Sequence, residues 1–261
     1  MKKTLIALAV LAASTASMAQ VTLYGVADLS LSATDQTGVR SDASMSGNGL
    51  LNDGNSRWGI KAVEDLGGGM KLTAQFEQNI NYENGATTTA DSRYAYMALD
   101  GGFGRLKAGR TLSPSFFGVA TWELTGAANF TAVGNQFAFA GAGSRNSSEF
   151  SYTTPNMGGL SATLGYVTEL DLAVAPNSNV SKVDANVIYA AGPLAAALSY
   201  NKTNTMKGNM ALGASYDFGM AKVAGSIQNN GGPSKGFTIG ATVPVGAFAL
   251  TLDIARENGT G

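Results

Sequence analysis

The chain has 261 residues, 17 Lys and Arg against 18 Asp and Glu, a formal net charge of −1, no Cys and no His. Those absences exclude disulfides, thiolate nucleophiles, His-dependent triads and His-ligated zinc, and the near-zero charge argues against a nucleic-acid partner. A mean hydropathy of +0.04 and 34 Gly against 6 Pro suit strands with one greasy and one wet face, joined by many bends.

The first residues read as an export signal. Lys2 and Lys3 precede an apolar run from Leu5 to Ala13, and Ser17-Met18-Ala19 supplies small residues at the first and third places of a cleavage site. The run is too short for a membrane-spanning helix. A signal peptide over 1–19 is therefore expected, with a single β-domain over 20–261. No later apolar run is long enough to span a membrane as a helix, so a membrane role requires a barrel of strands, which satisfies every backbone group in lipid.

Period-two alternation then runs along the chain. Over 21–31, Val21, Leu23, Ala27, Leu29 and Leu31 oppose Thr22, Asp28 and Ser30. Over 57–64, Trp58, Ile60 and Ala62 oppose Arg57, Lys61 and Val63, and over 70–79, Met70, Leu72, Ala74 and Phe76 oppose Lys71, Thr73, Gln75, Glu77 and Asn79. Over 92–99, Tyr94, Tyr96 and Ala98 oppose Arg93, Ala95 and Met97; over 105–109, Leu106 and Ala108 oppose Arg105 and Lys107. The pattern returns from Glu149 to Thr153, from Leu160 to Tyr166, and in six further segments ending with Phe248 to Ile254. About thirteen strands are predicted on this criterion. A soluble sandwich would alternate too, but an aromatic closes the apolar face at many strand ends, at Tyr94, Tyr152, Tyr166, Tyr189, Tyr200 and Tyr216. Interfacial girdles account for that placement, and the charged and amide residues opposite suit a water-filled lumen.

The connections are of two kinds. Tight glycine turns at Asp65-Leu66-Gly67-Gly68-Gly69, Asp100-Gly101-Gly102-Phe103-Gly104 and Pro155-Asn156-Met157-Gly158-Gly159 alternate with longer polar segments at 32–55, 80–91, 111–147, 168–181, 202–208 and 229–234. Short turns on one side and long loops on the other define an up-and-down transmembrane β-barrel, with the short turns on the periplasmic side. The 111–147 loop is the longest and is strongly apolar, with Pro114, Phe116, Phe117, Trp122, Phe137 and Phe139; Glu123 is its one acid. Loops this long are uncommon unless functional, and this one is expected to fold into the lumen and narrow it. Facing it, Arg57, Lys61, Arg93, Arg105 and Lys107 share the lumen parity, with Arg110 ending the fifth strand and Arg145 leading into the sixth. Fixed guanidinium charges in a narrowed aqueous passage would raise the local anion concentration; scattered wall charges neutralised by Glu64, Glu77 and Glu149 are the alternative.

Val21-Thr22-Leu23-Tyr24-Gly25-Val26-Ala27-Asp28, Ser56-Arg57-Trp58-Gly59-Ile60-Lys61 with Glu64-Asp65-Leu66-Gly67-Gly68-Gly69, Phe103 through Arg110, and Arg145-Asn146-Ser147 through Tyr152-Thr153-Thr154-Pro155 occur in this order. Together they resemble the trimeric general porins of Gram-negative outer membranes, especially the β-proteobacterial type. The resemblance implies a sixteen-stranded barrel, a homotrimer seated in outer-membrane lipid, and passive diffusion of small hydrophilic solutes and ions. It also implies that Arg57, Arg93 and Arg110 line a constriction opposite the third loop. That loop lacks the family's usual acids, so an anion-preferring passage is expected. The chain reaches Gly261 before the strands that close the family's barrel, so about three strands are expected to be missing. A substrate-specific outer-membrane channel is the alternative, but the lumen faces after residue 160 carry no ordered aromatic track. Neither catalysis, nor a cofactor, nor a bound metal is expected.

Overall fold

A computed structural model of the chain describes residues 19–33, 35–36, 39–40, 42–85, 92–137, 139, 143–168, 180–231 and 235–258. The expected signal peptide lies outside the described residues except for Ala19. The first strand, β1, spans Gln20–Val26. Two short pairs follow, β2 (Ser30–Ser32) with β5 (Ser44–Ser46) and β3 (Asp35–Gln36) with β4 (Val39–Arg40). Then come β6 (Arg57–Gly67), β7 (Met70–Asn79), β8 (Ser92–Gly101) and β9 (Gly104–Leu112). Two helices, α1 (Pro114–Trp122) and α2 (Ala132–Phe137), occupy the long loop. The rest is β10 (Arg145–Thr153), β11 (Leu160–Val167), β12 (Lys182–Ala191), β13 (Leu194–Thr203), β14 (Asn209–Asp217), β15 (Lys222–Asn229), β16 (Lys235–Val245) and β17 (Phe248–Glu257).

Thirteen of these strands form one antiparallel sheet in chain order, β1-β6-β7 and so on to β17. Among the described residues no ladder joins β1 to β17. The up-and-down order follows from the alternating connections: three or four residues reverse the chain at one rim, as at Gly67–Met70, where Gly67, Gly68 and Gly69 all take left-handed φ of 78°, 61° and 80°, a conformation costly for any residue with a Cβ. No described helix is long and apolar enough to cross a membrane; the strands have that role.

The burial of side chains is inverted relative to a soluble protein. Leu23, Phe150, Leu164, Ile239 and Leu252 are 59–72% exposed, whereas Glu77, Lys182, Asp184, Asn186, Ser199, Asn201 and Gln228 are at most 4% exposed. Each set occupies one parity of its strands, so the outward face is apolar and the inward face polar, the arrangement lipid demands of a barrel wall. The apolar core lies inside the sheet's concave face, where Val119, Trp122 and Val133 from the long loop pack on Ala197 and Ala211.

Two local readings require correction. The alternation over 21–31 is not one strand: β1 stops at Val26 because Asp28 is gripped by the outer loop. Asn52 Nδ2 donates to the Asp28 carboxylate (2.8 Å) and carbonyl (3.0 Å), Gly54 N to the carboxylate (3.0 Å) and Ser56 Oγ to the carbonyl (2.7 Å). The Gly54 N–H and the Asn52 amide hold the Asp28 carboxyl below its ordinary value. Second, Tyr94 and Tyr96 belong to the lumen, paired with Glu77 and Gln75 respectively, while Ala95 and Met97 face outward. The register slips by one residue between Glu77 and Gln78, a β-bulge that carries Arg93 to the same side as Tyr94. The other girdle tyrosines, Tyr152, Tyr166, Tyr189, Tyr200 and Tyr216, stand 39–48% exposed on the outer face.

Candidate functional site

The long loop turns inward because its first helix is built to start at the wall. Ser113 caps α1 by accepting from Phe116 N (3.1 Å), and Pro114 follows with the fixed φ that suits a first helical position. Pro114, Ser115, Gly118, Val119 and Trp122 form its buried face, set against β12, β13 and β14. At its first turn, Ser115 N and Oγ donate to the two carboxylate oxygens of Asp184 (2.7 and 3.2 Å), and Asn186 Nδ2 donates to Pro114 O (2.6 Å). Ser199 Oγ donates to Ser115 O and Asn201 Nδ2 to Ser115 Oγ. Glycine permits the close approach at two places: a Cβ at Gly118 would strike Ser199, and one at Gly213 would strike the Trp122 ring.

Beneath this anchor lies a fully buried ion pair, Lys182 with Asp184 at 2.8 Å, both at most 1% exposed. Asn146 joins them, accepting from Lys182 Nζ (2.8 Å) and donating to Asp184 (3.2 Å) and Glu149 (2.6 Å). Further along, Asn129 donates to Gly49 O and Asn55 Oδ1 of the outer loop, and Asn230 Nδ2 donates to Phe137 O. The loop is thus stitched across the lumen from several strands.

Glu123 is in the loop but does not present its charge to the lumen. It is 3% exposed, and its carboxylate accepts from Thr125 N, Thr125 Oγ1, Ala127 N and Thr131 Oγ1 at 2.6–2.9 Å. Phe117, 42% exposed, faces the open side, and Phe116 stacks on Phe139 at 4.8 Å.

The basic residues stand on the other wall, β6 to β10, at three heights. At the outer end, Glu77 lies between Arg93 (2.5 Å) and Arg57 (3.7 Å). Arg93 also donates to Asn79 (3.2 Å) and Arg57 to Asn55 O (2.8 Å). Arg110 donates to Ser92 O and Ser147 Oγ, and Arg145 lies close enough to Arg93, Arg110 and Glu77 to feel their charges. Four arginines cluster here, and two of them, Arg57 and Arg93, share the Glu77 carboxylate. One step inward, Lys61 pairs in register with Thr22 and Gln75. Lys107 sits at mid-height, donating to Thr111 Oγ1 (3.0 Å) and lying 5.8 and 5.6 Å from the ring centroids of Tyr96 and Phe117. Arg105 departs from the expected group: it lies at the inner rim, doubly hydrogen-bonded to Asp100 at 2.6 and 3.1 Å. Alternation gave the parity of these side chains but not their height. The Asp184 anchor was missed, although Lys182 and Asp184 on one strand face carried its signal.

The fold and the polar, loop-narrowed lumen define an outer-membrane porin. Residues 4–261 match the family of Gram-negative porins, and the chain belongs to that family and to the outer membrane. It is 37% identical to outer membrane porin protein 32 of Delftia acidovorans over 274 residues, covering 94% of this chain and 77% of that one. Among solved structures it resembles the anion-selective porin from Comamonas acidovorans, with a TM-score of 0.75 and 28% identity, covering 92% of this chain and 80% of that one. A loop-deleted OmpT of Vibrio cholerae shares the fold at a TM-score of 0.68 and 14% identity, over 90% and 80% of the two chains.

Proposed function

We propose that this porin is an anion-preferring diffusion channel for small hydrophilic solutes, working as a homotrimer, and that its selectivity resides in the outer basic wall. The observation that carries this reading is the charge imbalance at the narrowing. Arg57 and Arg93 share Glu77, and Arg110 and Arg145 stand beside them, while Glu123, the loop's acid, spends its carboxylate inside the loop. Lys61 and Lys107 extend the positive surface inward. The loop side of the passage is formed by α1, from which Phe117 reaches toward the basic wall, whereas Trp122, expected at the constriction, packs on the opposite side against the barrel wall. Solutes are sorted by size and by charge, and no bond is made or broken.

Swelling of liposomes that contain the protein tests the diffusion reading. Neutral sugars of increasing mass should enter at rates that fall smoothly with size, with stereoisomers alike. A single sugar entering far faster than others of its size would instead favour a substrate-specific channel.

A further inference from the structure

Below α1, on the periplasmic side of the narrowing, the lumen contains a concave cavity of about 310 Å³. Its roof is Phe117 and Pro114, one wall is Tyr94, Tyr96 and Lys107, and Thr153, Ser161 and Thr163 form part of its polar floor. The volume lies at the low end for small-molecule sites. Two features give it a chemistry. The Lys107 ammonium lies near the faces of two rings at 5.8 and 5.6 Å and gives one of its three donors to Thr111. No carboxylate of the described residues lies within ion-pair distance of it. The second cation at the cavity, Arg105, is neutralised by its two bonds to Asp100. The site therefore offers one positive charge outside any direct ion pair, flanked by aromatic faces, with Glu149 the nearest carboxylate to act on it.

We propose that this cavity is a weak binding site for small aromatic monocarboxylates, whose carboxylate meets Lys107 and whose ring lies against Tyr96 and Phe117. A flat ring gains stacking that an aliphatic acid does not, and a charge-assisted hydrogen bond to the ammonium anchors it. A dianion would find no second free cation there. The inference rests on the diffusion-channel reading and adds a stopping point along the path: an occupied site shortens the passage open to chloride and interrupts the current.

The test is single-channel recording in KCl with added sodium benzoate, cyclohexanecarboxylate or acetate. Benzoate should produce brief closures at millimolar concentration, cyclohexanecarboxylate fewer, and acetate none. Lys107→Gln should raise the benzoate concentration needed by about tenfold. Phe117→Leu should narrow the gap between benzoate and cyclohexanecarboxylate, which separates loss of the ring contact from loss of the fold. Equal effects of the three acids, or benzoate closures unchanged in Lys107→Gln, would overturn the proposal while leaving the porin reading intact. No current in KCl alone would overturn the porin reading on which it depends.

Discussion

Asp184→Ala should be the most damaging single change in the lumen. The carboxylate serves four partners at once: Ser115 N, Ser115 Oγ, Asn146 Nδ2 and Lys182 Nζ. Removing it takes a carboxylate partner from a lysine that is 1% exposed and the wall contact from a helix start. Breaking one partner of a buried pair typically costs about 3–5 kcal/mol. Here the loss has a functional consequence besides, because the first turn of α1 is what holds the loop to β12. The folded fraction in a urea titration from lipid vesicles should drop sharply, and channels that do form should show current substates as the loop moves. Lys182→Met should be milder, since Asp184 keeps its bonds to Ser115 and Asn146. A Lys182→Met variant as disrupted as Asp184→Ala would show that the ion pair, and not the Ser115 anchor, secures the loop.

Trp122→Ala should come second. The indole is 1% exposed and lies over Gly213, with Val119, Val133, Ala197 and Ala211 around it. Truncating a buried Trp to Ala costs about 3–5 kcal/mol, the larger figure where the site cannot collapse; a β-sheet wall on one side allows little collapse. Its Nε1 makes no hydrogen bond among the described residues, so Trp122→Phe should retain most of the stability. Gly213→Val should be nearly as harmful as Trp122→Ala in the native background, because the new Cβ collides with the ring, yet add little once Trp122 is already Ala. Unfolding midpoints of the two single variants and the double variant measure that coupling. Strictly additive effects would mean that the ring does not rest on Gly213.

The sheet was readable because lipid and water impose opposite demands on alternate residues. Leu160, Ala162, Leu164 and Tyr166 against Ser161, Thr163 and Gly165 specify a face and a register with no tertiary information. Thirteen strands and the inward, helix-bearing loop follow from that pattern and from the spacing of the glycine turns. The site was only partly readable. Side-chain parity failed at Tyr94, where a bulge adds a residue that alternation cannot count. Height failed at Arg105, whose partner Asp100 across the hairpin takes it out of the constriction group. The role of Glu123 was hidden because a loop acid looks the same in sequence whether it points at the lumen or caps its own backbone. The Ser115–Asp184 contact joins residues 69 positions apart, a pairing that no local pattern encodes.

The most direct test of the account is the zero-current potential of the protein in a planar bilayer under a KCl gradient. The wild-type value should lie toward the chloride equilibrium potential, and Arg57→Glu with Arg93→Glu should carry it toward that of potassium. Arg105→Ala, which removes an exposed and already paired charge, should leave it nearly unchanged. A wild-type channel selective for potassium, or one whose selectivity follows Arg105 and ignores Arg57 and Arg93, would contradict the outer basic wall as the selective element.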